Sequence, residues 1–286
     1  MRWEDNRESD NVEDRRGGGF GGFGGRSVGI GTIVIALIGS YFFGVSPSAI
    51  ISLLSGGPAP VTQQAPAHKP PADDPVARFV SVVLADTEDV WGQIFQQRGG
   101  QYVRPKLVLF SGRVPTACGM GETAVGPFYC PGDQKVYLDL QFFQTMRERF
   151  HVASEFAEAY VIAHEVGHHV QNLTGIAAQV DEMRRGASER KANALSVRME
   201  LQADCFAGVW AYHADRARHI LESGDVESAL KAATAIGDDT LQRQSQGVVV
   251  PDSFTHGTSE QRVRWFTRGI DSGDIKNCNT FAARQL

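Results

Sequence analysis

Polar and apolar positions are unevenly distributed along this chain. Residues 27 to 67 contain no Lys, Arg, Asp or Glu, and Ser27 to Phe43 is dominated by Ile, Val, Leu, Phe, Ala and Gly. With Val45 to Leu54 added, the stretch is long enough to cross a bilayer, which takes about 20 apolar residues. It begins behind 26 mostly polar residues, and no small-residue cleavage site follows it. The pattern therefore predicts an uncleaved anchor over 27–54 rather than a signal peptide. Arg15, Arg16 and Arg26 flank the anchor on its N-terminal side, whereas the next cation is Lys69. The positive-inside rule then predicts a single-pass membrane protein with a cytoplasmic N-terminus and the remainder periplasmic or extracellular. Residues 1–26, with Gly17 to Gly25 interrupted by Phe20 and Phe23, are expected to be a disordered cytoplasmic tail. Residues 55–75, rich in Pro, Ala and Gln, are expected to be a linker.

From residue 76 onward the periodicities are those of a folded domain. Leu107 to Phe110 forms one apolar run. In Val136 to Leu140 the apolar side chains alternate with Tyr137 and Asp139, behind the turn residues Pro131-Gly132-Asp133, so both runs are predicted strands. Glu155 to Ala163 holds strong helix formers with Phe156, Tyr160 and Ala163 at helical spacing, and Ser188 to His219 reads as one long helix. Asp225 to Ile236, a restart at Gly237-Asp238-Asp239, and Ser259 to Phe266 add shorter helices. The expected architecture is α+β: a small sheet packed on the Glu155 helix, a mainly helical part after Ser154, and a cleft between them.

Composition narrows the function. Residues 76–286 carry 22 Lys and Arg against 25 Asp and Glu, without a basic run, so nucleic acid is not an expected partner. All four cysteines, Cys118, Cys130, Cys205 and Cys278, fall in this part. An even number in an exported domain points to disulfides. Of three connectivities, Cys118 with Cys130 and Cys205 with Cys278 is the most natural. Neither oligomeric state nor cleavage specificity is set by the sequence.

The chemistry lies in His164-Glu165-Val166-Gly167-His168, an H-E-x-x-H pattern. On a helix the two histidines stand one turn apart on one face and can bind a single Zn²⁺. Glu165 is then left free to act on a water at the metal as general base. A hydrolytic zinc site needs a third protein ligand. No histidine occupies position 171 or 174, which are Gln171 and Thr174, so the class with three histidines at short spacing is excluded. Glu200-Leu201-Gln202-Ala203-Asp204 places two carboxylates at i and i+4, with Glu200 as expected ligand and Asp204 as acceptor of a ligating histidine's second N–H. The neighbours Cys205, Phe206, Val209 and Trp210 read as buried, and Ala203, Ala207 and Ala211 would let another helix approach closely. His169 is read as structural.

His164-Glu165-x-x-His168 together with Glu200-x-x-Ala203-Asp204 resembles the glutamate-zincin pattern of thermolysin-like and CAAX-type endopeptidases. The chain is most similar to the bacterial neutral zinc metallopeptidase family, through three further segments: 116–119, 126–139 and 254–262. That resemblance implies a zincin-like domain over 76–286 joined to a short tail and a membrane anchor, with Zn²⁺ as cofactor. It also implies that the strand Val136 to Leu140, before the metal helix, is an edge that holds an extended peptide by main-chain hydrogen bonds; closing the core sheet is the other reading of that strand. By likeness to the CAAX-type enzymes, His256 and Arg262 would approach the site late in the chain, His256 helping to stabilise the oxyanion. Gly257 departs from that pattern, which commonly has proline there. A structural histidine is the other reading of His256.

The expected function is a membrane-anchored, zinc-dependent peptidase acting on peptides or unfolded protein. The alternative is a catalytically quiescent, zinc-containing binding module of the cell envelope. Metal-dependent deformylation is disfavoured, because no cysteine ligand stands upstream in the pattern that chemistry usually shows.

Overall fold

The computed structural model describes residues 1–16, 67–122, 126–246 and 248–286. In chain order its elements are β1 (Val12–Asp14), α1 (Pro75–Gln97), β2 (Lys106–Phe110), β3 (Arg113–Thr116), β4 (Gly119–Glu122), β5 (Phe128–Cys130), β6 (Lys135–Asp139), α2 (Gln141–Arg149), α3 (Glu155–Leu173), α4 (Ile176–Arg184), α5 (Glu189–Arg218), α6 (Asp225–Ala235), α7 (Asp238–Gln246) and α8 (Ser259–Ser272). Helix dominates after Ser154 and the strands precede it, a mixed organisation compatible with the expected α+β class.

The main sheet has the order β1-β2-β6-β5, parallel between β1, β2 and β6 and antiparallel between β6 and β5. The two predicted strands are thus neighbours at its centre. Because side chains alternate across a strand, Leu107, Leu109, Val136 and Leu138 enter the main core, while Val108, Phe110 and Tyr137 join Val114 and Cys130 in a second cluster on the opposite face. Burial on both faces is what a sheet interior demands. The alternation at 136–140 therefore marks an interior strand, and among the described residues the terminal strand beside the helices is β5.

α3 is the centre of the fold, touching β5 and β6 on one side and α1, α5 and α6 on others. Two close helix approaches set the geometry. A Cβ on Gly167 of α3 would lie 3.0 Å from the carbonyl oxygen of Ala203 on α5. The α5–α8 crossing is tighter: a Cβ on Gly208 would lie 2.2 Å from the Phe266 oxygen, and one on Gly269 2.1 Å from the Cys205 oxygen. Disulfides join Cys118 to Cys130 and Cys205 to Cys278, the second tying α5 to the 3-10 turn Ile275–Cys278.

The N-terminus departs from expectation. Met1–Arg15 belongs to one compact unit with Ala67–Leu286. β1 pairs in register with β2, Val12 opposite Leu107, and Asp14 exchanges main-chain hydrogen bonds with His68 at 2.7 and 3.1 Å. Trp3 is buried edge-on against Phe79 at 5.3 Å. The buried carboxylate of Glu88 accepts hydrogen bonds from Ser9, Asn11 and Arg7. On β1, Glu13 is paired with Arg15, Lys106 and Lys135, so burial, which would raise its pKa, is outweighed and the value falls to about 2. The disordered tail expected over 1–26 is accordingly corrected at Met1–Arg15, because charge pairing lets a polar segment complete a sheet; residues 17–26 lie outside the described residues.

The anchor expected over 27–54 and most of the linker over 55–75 lie outside the described residues. Among the described residues no helix is long and apolar enough to cross a membrane.

Candidate metal centre

α3 starts after Ser154, carries Glu155 and Glu158 in its first turn, where the helix dipole favours negative charge, and stops at Thr174 before Gly175, whose φ is 76°. Two turns in from its start, His164 and His168 lie one turn apart with ring centroids 4.8 Å apart and ring planes perpendicular. The Gly167–Ala203 approach brings α5 against this face. Glu200 there stands between both imidazoles, its oxygens 3.1 Å from His164 Nε2 and 3.5 Å from His168 Nε2. One ligand atom from each of the three residues lies within 4.8 Å of the others. Two imidazole nitrogens and one carboxylate oxygen suit Zn²⁺ and leave a fourth position for water or substrate.

Each histidine is aimed by a partner on its other nitrogen. His164 Nδ1 donates to Asp204 Oδ1 at 2.8 Å, and His168 Nδ1 donates to Gln171 Oε1 at 2.9 Å. Asp204 is wholly buried. It also accepts from Tyr160 Oη at 2.6 Å and from Arg262 Nε and Nη2, each at 2.9 Å. A buried carboxylate needs such compensation. Burial pushes the Asp204 pKa up, but Arg262 and His164 outweigh it and hold the group ionised.

The electrostatics favour a cation. Burial would lower the His164 pKa, yet Asp204 and Glu200 raise it to about 10, and Glu200 likewise raises that of His168 against burial. Burial would raise the Glu200 pKa, and the two imidazoles hold it well below the usual carboxylate range instead. The carboxylates around the two imidazoles thus favour positive charge between them, which a divalent cation can supply.

Glu165 is 7% exposed and lines the cleft beside the two histidines. Burial raises its pKa, opposed by His164 and His168. The cleft measures about 760 Å³ and is walled by β5 residues Phe128 and Tyr129, by Phe142 and Phe150, and by Val161 and Val180. His256 reaches the same cleft from the loop before α8. Asp238 holds that loop, accepting from the main-chain N–H groups of Thr255, His256 and Gly257 at 2.7, 2.6 and 3.0 Å. The Asp238 hydrogen bond to Nδ1 raises the pKa of His256. Gly257 has φ 91°, a conformation closed to proline, which accounts for the departure noted in the sequence.

Tyr160, Gln171 and Asp238 carried no recognised signal. Tyr160 reads as one more apolar helix position, Gln171 as a place where no histidine stands, and Asp238 as a helix start. Their roles depend on which side chains other elements bring to them. His169 is fully buried, donating from Nε2 to the Val103 oxygen at 2.7 Å and accepting from Tyr129 Oη at 2.9 Å; it ties β5 to α3 and faces no metal ligand.

No solved structure matches this chain. It is 52% identical over 289 residues to "Uncharacterized protein YpfJ" of Escherichia coli K12, covering 98% of this chain and 99% of that one. It is 42% identical over 219 residues to "Uncharacterized protein Rv2575" of Mycobacterium tuberculosis H37Rv, covering 73% of each. Residues 1–281, which include both the N-terminal strand and the clustered His164, His168 and Glu200, match the family described as "Putative neutral zinc metallopeptidase", and the chain belongs to that family.

Proposed function

We propose that this protein is a zinc-dependent peptidase of zincin type that hydrolyses peptide bonds in extended or unfolded polypeptides. The observation that carries the reading is the convergence of His164, His168 and Glu200 at the floor of a cleft that also holds the buried Glu165. Zn²⁺ held by these three residues would supply Lewis acidity, lowering the pKa of a water toward about 7 and polarising the scissile carbonyl.

The remaining steps belong to the chain's own groups. Glu165, buried beside the two histidines, takes the proton from the attacking water and passes it to the leaving amine. His256, anchored through Nδ1 and lining the cleft, would donate from its other nitrogen to the carbonyl oxygen as charge develops there. β5, an edge strand among the described residues, can pair with an extended substrate through main-chain hydrogen bonds, which gives affinity with little sequence demand. Phe128, Tyr129, Phe142 and Phe150 give the cleft apolar walls against which substrate side chains can pack.

The test compares the zinc-loaded chain with Glu165→Gln at equal metal content on an unfolded protein. Cleavage by the parent alone, stopped by a chelator, is expected, with the variant reduced at least about 100-fold. Equal zinc with no cleavage by either would favour the binding-module function instead.

Membrane attachment through 27–54 remains part of this proposal, with one change of topology. Because Met1–Arg15 and Ala67–Leu286 belong to one compact unit, both would lie on one side of the bilayer, and the paired cysteines suit a periplasmic or extracellular site.

A further inference from the structure

The side chains behind His168 form a hydrogen-bonded series that leads away from the metal site. His168 Nδ1 donates to Gln171 Oε1 at 2.9 Å. Gln171, with no exposed surface, donates from Nε2 to the Met199 carbonyl at 2.7 Å and to Gln202 Oε1 at 3.1 Å. Gln202, 4% exposed, donates from its own Nε2 to the Cys278 carbonyl at 3.0 Å. Cys278 is crosslinked to Cys205, which lies one helical turn beyond Gln202 on α5.

The direction of this series is determined at its far end. A main-chain carbonyl can only accept, so Cys278 and Met199 oblige Gln202 and Gln171 to turn their NH₂ groups toward them. Gln202 is left offering an oxygen to Gln171, and Gln171 an oxygen to His168. An imidazole facing an acceptor must carry its proton on that nitrogen, so the Nδ1–H tautomer of His168 is selected and the Nε2 lone pair points to the ligand cluster. Asp204 selects the tautomer of His164 by charge, whereas a neutral relay does it for His168. The Gln171 contact with Met199 also holds the backbone next to the ligand Glu200.

We propose that Gln171 and Gln202 are positioning residues that fix the tautomer of the ligand His168, and that the Cys205–Cys278 crosslink anchors their relay and so governs how tightly metal is held. The inference rests on the metal-centre reading above. Full-length parent, Gln171→Met, Gln202→Met, Cys205→Ala/Cys278→Ala and the Gln202→Met/Cys205→Ala/Cys278→Ala combination would be loaded with Zn²⁺ and challenged with a chromogenic chelator. The d–d spectra of the Co²⁺ forms would be recorded alongside.

Zinc affinity is expected to fall about 10- to 100-fold in Gln171→Met and less in Gln202→Met, with altered Co²⁺ bands in both. The crosslink variant should resemble Gln202→Met, and the combination should lose less than the product of the two. Parent-like affinity and spectra in both glutamine variants, or losses that multiply, would overturn the proposal. A parent that takes up no zinc would overturn the metal reading and this inference together. Should the variants not fold, nitrogen-15 NMR of the zinc-loaded parent decides: Nδ1–H on His168 is expected, and Nε2–H overturns the relay.

Discussion

Side chains at this site act in pairs whose members come from different elements. Asp204 is ionised because Arg262, 58 positions later, lies against it, and Tyr160 and His164 fill its remaining acceptor sites. Glu158, on the same helix as the metal ligands, shows the converse. Burial raises its pKa from 4.5 to about 7, and the pairing with Arg147 only partly opposes this. A carboxyl with a raised folded pKa binds more protons in the native state than in the unfolded one, so stability should fall as pH rises from about 4.5 to 7. Glu158→Gln should remove this slope and leave the variant roughly 1–3 kcal/mol more stable than the parent above pH 7. Urea midpoints for both proteins at pH 4.5, 6 and 8 would show it; parallel pH profiles would refute it.

Elements are placed here by close approach more than by charge. Gly167 against Ala203 brings α3 to α5, and Gly208 with Gly269 lets α8 lie on α5, carrying Arg262 to Asp204. Alanine at Gly269 would place its Cβ 2.1 Å from a carbonyl oxygen, so the helices must separate. Gly269→Ala should cost about 3 kcal/mol as overpacking and should also weaken zinc binding, because Arg262 moves with α8. A variant with parent-like thermal stability and zinc affinity would contradict this account of the crossing.

The i, i+4 spacings in α3 and α5 made the ligand cluster legible, since a helix fixes which side chains share a face whatever surrounds it. The identity of the sheet edge was not legible. Val136 to Leu140 alternates as an edge strand would, and only the second apolar cluster on its far face makes it an interior one.

At the scale of the whole molecule, the N-terminal strand constrains the proposed membrane topology. Val12-Glu13-Asp14 has no strand pattern of its own and pairs with a strand more than 90 residues away, where Lys106 and Lys135 meet Glu13. Epitopes placed at the two ends of the chain should therefore be digested together, or protected together, when protease is added to intact spheroplasts. Digestion of one end alone would show that β1 does not join the sheet in the cell.

By itself the sequence determined what is local: the helix carrying His164, Glu165 and His168, the helix carrying Glu200 and Asp204, and the uncharged stretch from 27 to 67. Tertiary structure alone decided that β5 is an edge strand among the described residues, that Met1–Arg15 completes the sheet, that Asp238 holds the His256 loop and that Gln171 aims His168. The physical reason is one of range. Helical periodicity is imposed by hydrogen bonds within a few residues, whereas a strand's neighbours and a buried polar group's partner are chosen by whichever distant segment can bury surface and satisfy charge at the same point.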